Sequence, residues 1–343
     1  MAVLRPVSNP PNPWLSSEVQ YLEDEPPPDA RLEVYEDHTR EILSTNDSPD
    51  VGFSWSVNPY RGCFHACAYC FARPTHEYLG LGAGTDFDRR ITVKPDAPRL
   101  LREAFERKSW KGELIVFSGV TDCYQPLEAS YRLTRACLEV CARYQNPVGI
   151  ITKAPLIERD LDVLLELHRT ASVSVSVSIP IWDRAHAHAL EPFVATPQRR
   201  MKTIERLAAA GLDVGVNVAP VIPGLSDCDI PQILEAAHEA GARRAGFVFL
   251  RLPGSVAKVF EERLRATLPL RADRILNRVR DARGGKLYDA RFGIRGRGEG
   301  SYAAAAQALF ESTARRLSMN QSCHGSERDT FRRPGSVRQL PLL

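Results

Sequence analysis

Between residues 53 and 268 a short apolar stretch is followed by an amphipathic one six times in strict succession. FSWSVNPYRGC, ELIVFSGVTD, VGIITKAP, SVSVSVSIPI, DVGVNVAPVIPG and RAGFVFLRLPG read as strands. The intervening periodicity predicts helices at 128–143, 157–170, 196–211, 229–241 and 256–268. TPQRRMKTIERLAAAG carries its own boundaries: a threonine cap, a proline at its first position and a glycine stop. Short strands alternating with helices require a parallel α/β sheet, either a doubly wound open sheet or a barrel, whole or partial. In both, chemistry gathers at the carboxyl ends of the strands, so the members of a site should fall there.

The 343 residues are 43% hydrophobic, enough for a sizeable core without disulfide staples. No apolar run approaches the roughly 18 residues of a membrane span. The start, MAVLRPVSNPPNP, lacks the apolar stretch of a signal peptide, so a cytoplasmic, reducing location is expected. There eight cysteines suggest metal or redox chemistry before disulfides. Residues 1–50 are proline-rich (NPPNPW, DEPPPDA) and read as an extended arm; 51–270 form the repetitive body. Residues 271–318 read as a basic extension packing on the body, and 319–343 as a disordered tail. Charge is divided unevenly. Residues 271–343 hold 15 Lys or Arg against 7 Asp or Glu, a net +8, and the rest of the chain is net −5. Such an extension is either a solvated surface or a patch for an anion such as DNA. Phe292, Tyr288 and Tyr302 among its arginines would stack on bases or pack in a core.

Three cysteines stand together in Asn58-Pro-Tyr-Arg-Gly-Cys63-Phe-His-Ala-Cys67-Ala-Tyr-Cys70. A single loop with C-x3-C-x2-C spacing can bring three thiolates to one soft metal centre. A [4Fe–4S] cluster usually takes four cysteines, so three would leave one iron open to a non-protein ligand. Zinc would need His65 or His76 as a fourth ligand, a thioredoxin-like pair would strand Cys63, and three core thiols would sit oddly in so polar a loop. The spacing favours the iron–sulfur reading. Cys137 and Cys141, four apart on a helix, share a face and read as core.

C-x3-C-x-aromatic-C, with Tyr69 as the aromatic, resembles the signature of the radical SAM superfamily. Residues 53–260, through NPYRGCFHACAYCFARPTHEYLG, TDCYQPLE, ITKAPLIERD and LEPFVATPQRRM, resemble more narrowly the spore photoproduct lyase group and its DNA-repair photolyase-like relatives. The resemblance implies a partial (β/α)6 TIM-like barrel of parallel strands, with the cysteine loop after the first strand. It implies a [4Fe–4S] cluster on Cys63, Cys67 and Cys70, S-adenosylmethionine on its open iron, and a 5′-deoxyadenosyl radical that abstracts a substrate hydrogen. It also implies an external one-electron reductant of flavodoxin or ferredoxin type. The chain is expected to be a monomer without membrane contact, acting on an unidentified substrate for which damaged DNA is one class. The competing expectation is a non-catalytic metal-binding module, zinc or iron–sulfur, that contacts nucleic acid.

Further residues follow from strand ends and the resemblance together. Thr121 and Asp122 end the second strand, Lys153 the third and Ser176 the fourth; Asn217 lies on the fifth. With Tyr69 they are the expected S-adenosylmethionine contacts, Lys153 pairing with its carboxylate. Glu191 and Arg200 read either as an ion pair or as further contacts. The lyase group returns a hydrogen atom from a cysteine shortly before the strand-ending aspartate. That position here is Gly119, and Cys123 falls just after Asp122, so either Cys123 is the catalytic donor, displaced from the family position, or the reaction differs and Cys123 is a buried structural thiol. Replacing Cys63, Cys67 or Cys70 by alanine is expected to abolish cluster assembly, read as iron and sulfide per chain after anaerobic reconstitution; Cys323→Ala is expected to leave both unchanged.

Overall fold

In the stretch SVSVSV every second residue can enter a core while its neighbours face the other way. The computed structural model, which describes residues 5–7, 32–321 and 330–334, shows this sidedness throughout its main sheet. The strands are β1 (Arg5–Val7), β2 (Glu33–Glu36), β3 (Leu43–Thr45), β4 (Trp55–Val57), β5 (Tyr60–Arg61) and β6 (Arg90–Val93). They continue with β7 (Ile115–Phe117), β8 (Val148–Thr152), β9 (Val173–Ser178), β10 (Asp213–Val221) and β11 (Arg244–Phe249). Seven form one sheet in the order β11-β10-β9-β8-β7-β4-β3. The run from β4 to β11 is parallel, and β3 joins β4 antiparallel. Parallel strands added always on the same side, through crossovers of one hand, put every helix on one face. That face carries Val57, Ile115, Phe117, Val148, Ile150, Val173, Val175, Val177, Val214 and Val216, all buried in one core with the helices. β3 and β11 are not paired, so the sheet is an open, partial barrel of six parallel strands.

The extended arm expected over 1–50 needs correction. Residues 33–36 and 43–45 are strands, and only 8–31 of its interior lie outside the described residues. β2 pairs antiparallel with β1 and parallel with β6, and β6 pairs antiparallel with β5, making a second sheet of four strands. Val34, Ile91, Val93 and Tyr60 bury its inner face. The partner strand, RITV at 90–93, is too short to announce itself by alternation. The helix expected at 128–143 is broken at Arg132, whose φ is +53°. Glu128 causes the break: its carboxylate accepts from the backbone N–H of Thr134 (2.9 Å) and Arg135 (3.2 Å), capping the second helix, Leu133–Tyr144.

The basic extension forms the helices Pro269–Asp281 and Gly300–Arg316. Between them the chain crosses the open side of the barrel. Gly296 carbonyl accepts from Phe249 N–H at the end of β11 (2.8 Å), and Gly293 N–H donates to Asp50 (2.7 Å) in the β3–β4 turn. Arg295 bonds both Asp50 and Ser48. After the second helix Asn320 exchanges side-chain hydrogen bonds with both backbone groups of Ala245, covering the free edge of β11. Much of the positive charge is met within the chain: Arg291 pairs Asp289 and Glu299, Arg295 pairs Asp50, and Arg316 pairs Glu235.

The expectation of a disordered tail over 319–343 is also corrected where the chain is described. Residues 330–334 dock against the helices Ala97–Glu106 and Leu133–Tyr144. Phe331 is 8% exposed, stacked on Tyr144 (6.2 Å between ring centres) and edge-on to Phe105 (5.7 Å). A Cβ on Gly112 would lie 2.2 Å from Phe331, so the glycine makes room for the ring. Arg333 donates to the carbonyls of Phe105 (3.0 Å), Arg107 (2.7 Å) and Trp110 (3.1 Å) at the end of the first of these helices. The segments 322–329 and 335–343 lie outside the described residues. Among the described residues no helix is long and apolar enough to cross a membrane. Phe331→Ala is expected to cost about 3 kcal/mol, as for a ring lost from a packed site; chemical denaturation of the variant checks it, and an unchanged midpoint would show that the docking adds no stability.

Candidate active site

β5 ends at Arg61, and Gly62 turns the chain with φ +78°, where a Cβ would come within 2.9 Å of both His76 and the Phe87 carbonyl. The cysteine loop follows. Cys63 N–H donates to Phe87 (3.0 Å), and tight turns close from Ala66 to Cys63 (3.2 Å) and from Cys70 to Cys67 (3.2 Å). Two buried side chains hold the loop from beneath. Arg73, fully buried, sends Nε and Nη2 to the Cys67 carbonyl (3.0 and 2.9 Å), Nη1 to Ala83 and Gly84 (2.9 and 3.0 Å), and pairs with Asp88 (2.8 Å). Gln125 donates to the Gly62 carbonyl and accepts from Phe64 N–H, both at 3.0 Å. Cys63 and Cys67 are buried and Cys70 is half-buried. Burial, then the neighbouring Asp122 and the other two thiols, push the Cys63 thiol well up; burial also raises Cys67 and Cys70.

Asp122 ties this loop to the strands. Its carboxylate accepts from Tyr124 N–H (2.9 Å), Thr152 hydroxyl (2.7 Å) and Lys153 N–H (2.7 Å), with His65 Nδ1 at 3.4 Å. Burial pushes its pKa up, but the His65 contact and the other donors outweigh it and hold the carboxyl below the usual range. A second network lies beside Cys67. Glu191 accepts from Tyr69 hydroxyl and from Arg200 (2.6 Å), with Lys153 Nζ 4.0 Å away; Arg200 also donates to the Ser178 carbonyl (2.8 Å). Burial would raise Glu191, yet the charges of Arg200 and Lys153 keep it below its ordinary value. Lys153 Nζ stands 5.8 Å from the centre of the Tyr69 ring.

The concave face of the sheet is lined by small or polar groups. Its cross-strand row runs Ser56, Val116, Gly149, Ser174, with Ile151, Ser176 and Gly215 above, then Ser178, Asn217 and Gly246. A closed barrel of this kind fills its interior with bulky branched side chains. Here serines and glycines stand beside Val116 and Ile151, so the lining is smaller and more polar than that of a filled barrel. The cysteine loop, Asp122 and Lys153 come together beyond the carboxyl ends of β7 and β8, whereas Ser176 and Asn217 lie inside β9 and β10 on the interior face. Thr121 turns away: it is 3% exposed and its hydroxyl donates to the Tyr60 carbonyl (2.9 Å), which makes it part of the loop's support.

Cys123 requires a correction. The thiol expected at the mouth is fully buried in the apolar core with Cys137, Cys141 and Tyr124. After Ser118, whose φ is +73°, the chain turns so that Asp122 faces the loop and the next residue faces the helices; Ser118 hydroxyl accepts from Cys123 N–H (2.8 Å). At Gly119 a Cβ would lie 2.9 Å from Ser56 Cβ, so the packing of β4 against this turn demands glycine. Glu128, Gln125 and Arg73 escaped the sequence reading. Their signal was present in TDCYQPLE and YCFARP, but a buried polar side chain that supports a loop looks like any surface residue until the loop is built. Cys323 lies outside the described residues.

The donor set suits a polynuclear cluster better than a zinc ion. His76 Nε2 is bonded to the Arg90 carbonyl (2.9 Å) while its Nδ1 is buried without a partner, and His65 faces Asp122. Among the described residues no three His, Cys, Asp or Glu side chains converge on a single ion. A four-iron cluster needs no such convergence, because each thiolate binds its own iron. Three adjoining buried thiols become thiolates only where cationic charge offsets the cost.

Fold and site together define an α/β partial-barrel enzyme class built around a three-cysteine loop at the barrel mouth. The radical SAM superfamily model matches residues 57–237, just over half of the chain, and the chain belongs to that superfamily. The family's [4Fe–4S] cluster and S-adenosylmethionine are its cofactors. The chain is 42% identical over 205 residues to an uncharacterised protein of Mycobacterium tuberculosis, covering 59% of this chain and 60% of that one. It thus spans about three-fifths of the length of the mycobacterial relatives it matches. A radical SAM Nalpha-GlyT isomerase of Pseudomonas phage M6 is 23% identical over 233 residues, 67% of this chain and 46% of that one. Spore photoproduct lyase complexed with dinucleoside spore photoproduct has a similar fold: TM-score 0.59, 18% identity, 83% of this chain and 78% of that chain. Gln125→Ala leaves Phe64 N–H and the Gly62 carbonyl buried and unpaired, at about 1–3 kcal/mol for each group; the reconstituted variant is expected to lose iron to a chelator several-fold faster than wild type, and an equal rate would remove Gln125 from the loop's support.

Proposed function

We propose that the protein is a radical SAM enzyme that abstracts hydrogen from an organic substrate held against the concave face of the sheet. The observation that carries this reading is the junction of the cysteine loop, the Asp122 anchor and a small-residue interior at one mouth. Cys63, Cys67 and Cys70 would hold the cluster. When bound, the cluster supplies the electron that splits S-adenosylmethionine into methionine and a 5′-deoxyadenosyl radical, the hydrogen abstractor. Lys153, beside Cys67, offers a cation for the methionine carboxylate. Ser176 and Asn217 offer hydrogen-bonding groups on the interior face, and the backbone of Tyr69 offers contacts to the adenosine while its hydroxyl stays on Glu191. Thr121 and Asp122 would act from behind, as positioning residues. Arg73 and Gln125 hold the loop rigid, so the thiolates meet their irons without reorganisation. Because Cys123 points into the core, it takes no part in hydrogen return in this reading.

For the substrate, we favour a nucleic acid or a piece of one. The lyase relative was solved with a dinucleoside photoproduct, and residues 271–343 are net +8. Arg295 and Arg316 of the extension are paired with carboxylates outside it, Asp50 and Glu235, and further support comes from two exposed aromatic rings carrying arginines. Phe71, 48% exposed, has Arg251 at 5.5 Å, and Phe292, 56% exposed, has Arg295 at 4.2 Å. Tyr302, in contrast, is committed to Asp227 and Gly224.

The test is anaerobic reconstitution, then S-adenosylmethionine with dithionite or a flavodoxin as the one-electron reductant. Formation of 5′-deoxyadenosine and methionine is the expected result; a full complement of iron with no cleavage would overturn the proposal. Oligonucleotide binding that weakens steeply with salt is expected for the nucleic-acid reading, and binding absent at low salt would overturn that part alone.

A further inference from the structure

The loop leaving β11 runs Leu250, Arg251, Leu252, Pro253, Gly254, Ser255 before the helix Val256–Thr267. It lies against the cysteine loop. Arg251 sits over the ring of Phe71, the residue after Cys70, and a Cβ on Gly254 would touch Pro74 at 3.9 Å. Among the described residues Arg251 has no hydrogen-bond or carboxylate partner. Its Nε is buried without an acceptor, and the hydroxyl of Ser255, four residues on, is likewise buried and unpartnered.

Behind this loop stands Arg283, only 1% exposed. It donates to the carbonyls of Leu250 (2.5 Å), Arg295 (2.8 Å) and Ile294 (3.4 Å), and its Nε is also buried without an acceptor. Carbonyls satisfy its donors without cancelling its charge. Burial, and Arg251 nearby, make Arg283 a weaker base than an ordinary arginine. The nearest carboxylates are engaged elsewhere, Asp50 by Arg295 and Gly293 N–H, and Asp289 by Arg291. Neither guanidinium makes a direct ion pair among the described residues, and the charges of Asp50, Asp289 and Glu299 reach them only from a distance. A desolvated cation without a partner is costly and persists most readily where an anion arrives to meet it. The planar fork of Arg251 matches an oxyanion, and Phe71 fixes the guanidinium while leaving its edge free.

We infer that Arg251, with the Ser255 hydroxyl and the charge of Arg283 behind it, recognises an oxyanion group, phosphate or carboxylate, carried by the substrate beside the cysteine loop. This rests on the proposed function above and assigns it a substrate chemistry.

The experiment is calorimetric titration of the anaerobically loaded protein with inorganic phosphate and, separately, with acetate. Wild type is expected to bind at least one of them with a Kd below about 10 mM, and the tighter of the two identifies the group. Arg251→Ala is expected to weaken that binding about tenfold or more, as for loss of a charge-assisted hydrogen bond. Arg251→Gln keeps a stem against Phe71 and guards against a misfolded alanine variant; the same loss is expected. No binding of either anion by wild type, or equal affinity in the Arg251→Gln variant, would overturn the inference. Cleavage of S-adenosylmethionine by loaded wild type without substrate tests the radical SAM proposal separately, so the two failures are distinguishable.

Discussion

One buried carboxylate organises the mouth of this barrel. Asp122, in the loop after β7, gathers donors from Tyr124 in that loop, from Thr152 and Lys153 at the end of β8, and from His65 inside the cysteine loop. A charge placed so deep would be prohibitive without partners, and four of them make it an anchor. The arrangement fixes three things together: the height of the loop above the sheet, the direction in which Lys153 leaves its strand, and the side on which Cys123 disappears. The Glu191–Arg200 pair does the same work on the other flank of the loop, through Tyr69 and the Ser178 carbonyl.

The sheet was legible in the sequence because its two faces obey different rules. The serines that interrupt SVSVSV could be assigned a common face before any coordinates, and that face is the open interior. The cysteine spacing was equally readable, since three thiols within eight residues have few other uses. What stayed hidden was support. Gln125 and Arg73 act on backbone groups of a loop whose path depends on long-range packing, and no local pattern marks a side chain for such duty. The four-stranded sheet was hidden for a related reason: strands of two to four residues are too short for a period to show. The side to which Cys123 turns depends on the loop after Ser118, whose positive φ no spacing in the sequence announces.

The charge partition also changed meaning once the chain was folded. The excess of arginine after residue 270 suggested a surface for polyanions. Two of those arginines tie the extension to carboxylates of the barrel, Arg295 on Asp50 and Arg316 on Glu235. Where each charge is paired therefore matters as much as the total. Net charge describes a solvated chain; a ligand meets only the charge that folding leaves unspent.

The segment that spans the open side of the barrel joins Arg295 to Asp50, positions 245 apart in the chain. Loop-closure entropy grows only slowly with such separation, so the tie is thermodynamically modest to form. Its kinetic meaning is larger. During synthesis the strands can pair in order as they emerge, each on its predecessor, while the rim waits for the last quarter of the chain. The open side of the barrel is thus the last part to be closed.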